Sequence, residues 1–431
     1  MGSIAKLFKQ NIIWRGLYYL LNVILSLTIA RYFQASISGT IFYVINNCAF
    51  ITLLLSISFE SAIIFFASGK EIKLFKLFHF AVLWITTIAI ILCLVFLLVR
   101  PVFLTGFFLT HYSNALLFIV GNIMTAFMGS FYYAQNKFIL PNLISIGIGI
   151  TLLLMVFFIN ENGLITSERF LTFYFASFLV QGLVLFISLL RSNTNFIGFS
   201  LLNRIELSSL FKYLSLVFFS NLIIFFCFRI DYWFVNYYCS SKEMGNYILV
   251  SKMVQLFFVF PGMLTTVLYP LASSGAQQKV KELIPFLTRS IFLFYSVACF
   301  ILIIIGKWFF PFVFGNSFSL MYTSFLFYIP GIIGFSALHT FATFYSGRNQ
   351  VMINLKGCSL ALIVVILGDL LLIPKYGINA AAAVSSCGYL VYFLFVLRLF
   401  IKEFSLPLKD FFLFRKSDWG YYKSLIKERH I

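Results

Sequence analysis

Apolar runs long enough to cross a bilayer recur along almost the whole chain, and no other feature of the sequence restricts its fold as severely. They fall at about 11–33, 40–67, 77–99, 114–134, 140–160, 170–190, 213–236, 247–269, 290–310, 321–345, 352–373 and 378–400. A helix of roughly 20 apolar residues, rising 1.5 Å per residue, matches the hydrocarbon core of a membrane. Twelve such runs predict an all-α polytopic membrane protein, because in lipid every backbone N–H and C=O has to be satisfied within its own helix. Composition agrees: of 431 residues, 61% are hydrophobic and 10% charged, with a mean hydropathy of +1.00, outside the range of soluble domains. The basic head MGSIAKLFKQ precedes an apolar run too long for a signal-peptide core and lacking a small-residue cleavage site, so that run is expected to stay as the first span.

Lys and Arg are distributed unevenly between alternate loops. With the N-terminus placed in the cytoplasm, fifteen of them fall on the cytoplasmic side, from Lys6 to Lys356, against six opposite: Arg31, Arg100, Arg169, Lys242, Lys307 and Lys375. An even number of spans returns the C-terminus to the same side, where residues 398–431 add eight more. The positive-inside rule therefore predicts two cytoplasmic termini, and the net charge of +18 needs no nucleic-acid partner. The basic, aromatic-rich tail at 401–431 is suited to an anionic lipid surface or to a protein partner. The seven cysteines are scattered singly without a CxxC pair, so neither a disulfide framework, a metal site nor a cofactor is expected.

Two stretches repeat. Gly39 to Gly69 and Gly245 to Gly275 have equal spacing at a displacement of 206 residues, with Ser68 and Lys73 falling on Ser274 and Lys279. FYYAQNKFILPNL at 131–143 matches TFYSGRNQVMINL at 343–355 at a displacement of 212, aligning Tyr133, Asn142 and Leu143 with Tyr345, Asn354 and Leu355. Both copies start on the same side of the membrane, so the repeat is parallel, and two six-helix bundles are expected around a central cavity. Their bounds are 1–195 and 213–400, with a cytoplasmic linker at 196–212 and the tail after 400.

With this plan, the stretches IARYFQASISGTIFYV, FYYAQNKF, RIDYWFVNYYCSSKEMGNY and VFPGMLTTVLYP resemble the polysaccharide flippases of the multidrug/oligosaccharidyl-lipid/polysaccharide (MOP) exporter superfamily, the O-antigen type above all. The resemblance spans nearly the whole chain. It implies a multi-pass protein of the bacterial inner membrane that moves an undecaprenyl-diphosphate-linked oligosaccharide from the cytoplasmic to the outer leaflet. Its partners would be that substrate, membrane lipids and other membrane proteins of polysaccharide assembly. Many members have fourteen spans, and this sequence has twelve and a tail.

Charges within the spans mark candidate sites, since each one in hydrocarbon is costly and needs a partner, water or an interface. FCFRIDYWFV at 226–235 carries Arg229 and Asp231. Arg229 lies seventeen residues beyond Lys212, about 25 Å along the helix, at a depth comparable to Lys252 and Asp369. Arg229 and Asp231 are two residues apart, roughly 200° around a helix, so they serve different neighbours. Either the two cations pair with Asp231 and Asp369 to lock helices together, or they face a lumen and attract a diphosphate. Lys252, Gln255, Gly262 and Thr266 form a semi-polar stripe, as do Arg15, Tyr19, Asn22 and Ser26; Asn122, Thr125, Gly129 and Asn136; and Ser336, His339, Thr343 and Ser346. Such stripes suit helix packing or a shared cavity. Substrate contacts are accordingly expected from Arg229, Lys252, Arg31, Arg15, Gln255 and Asn22. Glu60 and Arg15 are an ion pair or a gate, Asp231 and Asp369 ion-pair residues, and His339 and Asp369 the sites for a coupling ion. Pro261 is expected to kink its helix.

The chain carries no HExxH, Walker A or paired-carboxylate motif, which argues against a membrane enzyme of polysaccharide assembly. An ion-coupled multidrug antiporter of the same superfamily is the nearer alternative. The charge asymmetry sets a test of topology: in a cysteine-free background, Ser241→Cys should react with an impermeant maleimide from outside, and Ser192→Cys only after permeabilisation. The opposite pattern would invert the protein.

Overall fold

Helix length decides the architecture. In the computed structural model, which describes residues 2–69, 71–98, 107–160, 167–192, 200–273, 277–412 and 418, α1 (Gly2–Ser56) and α13 (Val351–Phe404) contain 55 and 54 residues. At 1.5 Å per residue each is about 80 Å long, well over twice a hydrocarbon core. Neither can cross once. Each contains one residue off the helical backbone, Gln34 at φ 57° and Gly377 at φ 60°. In α13 the break is a reversal: Gly357 packs on Tyr392, Gly388 on Val365 and Gly368 on Val384. Partner numbers fall as residue numbers rise, as in an antiparallel hairpin.

The remaining helices are α2 (Phe59–Ser68), α3 (Leu74–Leu98), α4 (Phe107–Ala134), α5 (Ile139–Asn160), α6 (Ser167–Ser192), α7 (Arg204–Arg229), α8 (Asp231–Tyr238), α9 (Ser241–Phe257), α10 (Val259–Ser273), α11 (Gln277–Phe314), α12 (Met321–Gly347) and the short α14 (Lys409–Phe412). Among the described residues, ten spans are long and apolar enough to cross a membrane. Dividing the two that contain Gln34 and Gly377 gives the twelve crossings expected from sequence. The protein is an all-α, multi-pass membrane protein.

The chain forms two compact units, Met1–Leu222 and Ile223–Ile431. In the first, α4 and α6 run parallel, because their contacts advance together: Asn114 with Thr172, Phe118 with Phe175, Gly121 with Leu179 and Tyr132 with Ser188. In the second, α12 and the later arm of α13 do the same, through Ser324 with Asn379, Gly331 with Ser386, Phe335 with Tyr389 and Tyr345 with Glu403. A Cβ on Gly121 would lie 2.3 Å from the Leu179 backbone, and one on Gly331 2.7 Å from Ser386 Cα. Glycine is thus what allows both parallel pairs to approach.

The turns after α4 and α12 are also alike. Asn136 and Asn349 both adopt φ 59°, a left-handed conformation that Asn tolerates better than most residues. Lys137 N–H donates to the Tyr132 carbonyl at 2.9 Å, and Gln350 N–H to that of Tyr345 at 2.8 Å. Tyr132, not Tyr133, is therefore the counterpart of Tyr345. The sequence register of 212 slips by one in the turn because α5 begins a residue later, relative to its asparagine, than α13 does.

Both units contain a broken span whose released carbonyl is held by a side chain from the following span. In the first, Ile57 and Ser58 have φ 48° and 57° and interrupt the helix between Leu55 and Phe59. Trp84 Nε1 on α3 donates to the Leu55 carbonyl at 2.9 Å. In the second, Pro261 has no N–H for the carbonyl four residues back, that of Phe257, and the Tyr295 hydroxyl on α11 donates to it at 2.5 Å. The helix breaks at Phe258, so the kink expected at Pro261 appears one turn earlier, where the donor is missing. The two breaks are not at equivalent positions of the repeat, and their causes differ.

The start of the tail docks on the second unit. Phe411 is fully buried, with its ring 5.9 Å from Phe341 and 6.0 Å from Phe400. Arg289, counted from sequence as a loop cation, lies inside α11 and grips both Asp418 oxygens, at 2.8 and 2.5 Å, and the Asp410 carbonyl. Residues 413–417 and 419–431, on which most of the lipid-surface expectation rests, lie outside the described residues.

The Pro261–Tyr295 arrangement sets a double-mutant cycle. Tyr295→Phe leaves a buried carbonyl without a donor and should destabilise the protein by about 1–3 kcal/mol, read as a lower melting temperature in detergent. In a Pro261→Ala background, which restores the backbone N–H, the same change should cost far less. Equal losses in both backgrounds would show that the hydroxyl does not substitute for the missing donor.

Candidate functional site

The stretch 226–235 contains its own break. The helix tightens at Ile230, where Trp233 N–H bonds to the Ile230 carbonyl at 3.1 Å, so Arg229 ends α7 and Asp231 starts α8. The two charges part company, as their spacing requires. Arg229 Nη1 donates to the Tyr232 hydroxyl at 2.6 Å and Nη2 to Gln255 Oε1 on α9 at 3.0 Å. Its guanidinium carbon lies 5.1 Å from the centre of the Tyr232 ring, within cation–π range.

Asp231 is 2% exposed. It accepts from the Tyr247 hydroxyl on α9 and, at 3.2 Å, from Ser385 on the later arm of α13. Tyr247 in turn meets the Tyr328 hydroxyl of α12 at 2.8 Å. The sequence expectation gave Asp231 a cationic neighbour; Arg229 acts on it through its charge, while its side-chain hydrogen bonds come from hydroxyls. Asp369, on the earlier arm of α13, is fully buried. The close packing of Gly368 on Val384 sets it in the same layer as Ser385, and the two carboxylates interact electrostatically. Asp231 Oδ1 and both oxygens of Asp369 have no hydrogen-bond partner.

Two carboxylates in a medium of low dielectric cannot both remain ionised and uncompensated. A proton shared between them or a bound cation resolves the conflict. The donor set is all oxygen, from Asp231, Asp369 and Ser385, which suits a hard ion and offers nothing to a soft metal. Among the described residues no group of three or more His, Cys, Asp and Glu converges on a metal.

The other sequence candidates are dispersed. Gln255 holds Arg229, and Lys252 lies one turn before it, half-buried on α9. Asn22 donates to the Tyr18 carbonyl at 2.8 Å, and Arg31 is exposed on α1. Glu60 opens α2 with a buried Oε2 that has no hydrogen-bond partner. The side chain of its expected partner Arg15 lies outside those described, as does that of Thr266. His339 packs its ring against Phe335 at 5.4 Å and Phe258 at 6.4 Å, with Nε2 unbonded. Sequence reasoning missed Tyr247, Tyr328 and Ser385. Six tyrosines are among the largest fully buried side chains: Tyr232, Tyr247, Tyr295, Tyr328, Tyr345 and Tyr389.

The bonding pattern predicts opposite responses at the two carboxylates. Asp231→Ala strips two buried hydroxyls of their acceptor and should lower stability by about 1–3 kcal/mol. Asp369→Asn removes a charge that holds no hydrogen bond and should leave the melting temperature in sodium-free buffer unchanged or higher. A loss at Asp369 equal to that at Asp231 would mean that Asp369 has a structural partner.

No protein-family model matches the chain, and no curated protein matches it in sequence. Solved structures do. The lipid II flippase MurJ, in an inward closed conformation, superposes with a TM-score of 0.71 at 15% identity, covering 93% of this chain and 89% of that one. An inward-facing multidrug-resistance MATE transporter of the MOP superfamily gives 0.61 at 13% identity, covering 90% and 94%. The MATE transporter ClbM, in complex with Rb+, gives 0.56 at 13% identity, covering 91% and 94%. At these identities the shared property is architecture, and it extends over nearly the full length: this chain has the fold of these solved structures.

Proposed function

We propose that the protein is a flippase that carries an undecaprenyl-diphosphate-linked oligosaccharide from the cytoplasmic to the outer leaflet of a bacterial inner membrane, by alternating access and for cell-surface polysaccharide synthesis. The observation that carries this reading is the likeness to MurJ, whose TM-score of 0.71 exceeds the 0.61 and 0.56 of the two MATE transporter structures. The positive-inside charge pattern and the flippase-like stretches around Arg229 and Pro261 support it. In this reading Arg229 and Lys252 supply positive potential for the diphosphate, with Arg31, Arg15, Gln255 and Asn22 along the substrate's path. Arg suits a diphosphate through its planar pair of donors.

Energy comes from a monovalent cation or a proton at Asp231 and Asp369. Three unpartnered carboxylate oxygens beside a serine hydroxyl are what such an ion neutralises, and ClbM is a structural neighbour that holds Rb+. The same pair also fits an antiporter of organic cations, so the assay must separate the two.

Proteoliposomes loaded with a fluorescent undecaprenyl-diphosphate oligosaccharide should show leaflet transfer that depends on a sodium or proton gradient. Asp369→Asn should transfer at least tenfold more slowly. Where sodium is the ion, it should raise the melting temperature of the parent protein and not that of Asp369→Asn. Export of tetraphenylphosphonium without transfer of any lipid diphosphate would establish the antiporter instead.

A further inference from the structure

A second polar constellation lies in the first unit, well away in sequence from the carboxylates. A half-open cavity of about 290 Å³ lies between α1, α4, α5 and α6, and its polar lining includes Tyr18, Tyr19, Thr125, Asn142, Ser145 and Gln181. It joins two of the sequence stripes, Tyr19 on α1 and Thr125 with Gly129 on α4, to polar residues of α5 and α6 that no stripe revealed. Among the described residues its lining carries no charge, so within a bundle of spans those residues offer neither a carboxylate to an organic cation nor a Lys or Arg to a phosphate.

Hydrogen bonding narrows the ligand further. Gln181 Nε2 donates to Ser145 Oγ at 2.5 Å, Ser145 to the Pro141 carbonyl at 2.8 Å, Asn142 Nδ2 to the Phe138 carbonyl at 2.7 Å and Thr125 to the Phe178 carbonyl at 3.1 Å. The hydroxyl protons of Ser145 and Thr125 and one N–H of each amide are therefore engaged by the protein itself. The amide oxygens of Asn142 and Gln181, residues only 4% and 8% exposed, keep no protein partner and remain as acceptors. Fixed acceptors suit a ligand rich in O–H and N–H donors. Tyr18 and Tyr19, with ring centres 6.1 Å apart, add aromatic surface, and Tyr19 is 52% exposed. Sugars combine hydroxyl donors with apolar C–H faces that stack on such rings.

We propose that this cavity is a binding site for a neutral saccharide, the head of the transported molecule. The inference rests on the flippase reading. It assigns the uncharged sugar to the first unit, separately from any diphosphate contact, and sets it beside the α4–α5 turn, at the end of the bundle that the charge pattern assigns to the cytoplasm.

Gly129 supplies the test. A Cβ there would meet only Tyr133 Cε2, at 3.9 Å, so added bulk projects into the cavity without displacing backbone. Saturation-transfer NMR on the full chain in nanodiscs, with maltotriose and chitotriose as neutral probes and tetraphenylphosphonium as the cationic one, should show binding of at least one saccharide. Gly129→Leu should weaken it at least tenfold, Gly129→Ala should retain it, and Tyr19→Leu should weaken it severalfold even if the leucine variant folds poorly. Absence of saccharide binding to the parent protein, saccharide binding indifferent to Gly129→Leu and Tyr19→Leu, or tetraphenylphosphonium binding that Gly129→Leu abolishes would each overturn the proposal. Lipid-linked transfer separates it from the flippase reading. Normal transfer by Gly129→Leu without saccharide binding removes this site alone, whereas Gly129-dependent saccharide binding without transfer of any lipid-linked substrate removes the flippase reading alone.

Discussion

A carbonyl released inside a bilayer has no water to turn to, and the fold depends on how such groups are satisfied. A straight span needs nothing beyond its own ladder. Transport calls for spans that bend, and each bend frees backbone that must find a donor. The indole of Trp84 serves Leu55 and the phenol of Tyr295 serves Phe257. Both donors come from the span that follows the break, so each bend is tied to its neighbour. A side-chain hydrogen bond of this kind contributes about 1 kcal/mol, small enough to be exchanged when helices move and large enough to select one resting shape.

The same rule governs the buried charges. Arg229 is held by a phenol and an amide, Asp231 by a phenol and a serine. Neutral hydroxyls stabilise a charge without cancelling it, and in the proposed reading the carboxylate pair takes up a proton or a cation. Asp369, fully buried and without a hydrogen bond, is where that demand is greatest. The second unit thus holds this buried carboxylate pair, while the described lining of the first unit's cavity is uncharged. A substrate with a charged linkage and a neutral sugar head presents the corresponding chemistries.

Much of the fold was legible because lipid enforces it. The boundary expected after residue 33 falls on Gln34, and the one between 373 and 378 spans the Gly377 reversal. The repeat showed itself through Tyr345, Asn354 and Leu355, although its register in the turn needed the backbone to correct it, pairing Asn136 with Asn349. Pro261 announced a kink but not its position, since the break follows the orphaned carbonyl and not the proline ring. Asp231 and Asp369 stood out as charges in apolar runs. Tyr247, Tyr328 and Ser385 did not, because a tyrosine near a span end reads the same whether it meets headgroups or a buried carboxylate.

Sequence by itself determined the solvent, the number of crossings and their direction changes, because hydropathy over some 20 residues and the cost of stranded backbone polar groups leave few alternatives. Tertiary structure alone decided which side chains meet. Glycine contacts at Gly121, Gly331 and Gly368 fix which helices approach and at what height, and only that height brings Ser385 to Asp231 or Gln181 to Ser145. Residues 154 and 36 positions apart share no local signal, so their pairing is a property of packing and is absent from any window of the chain.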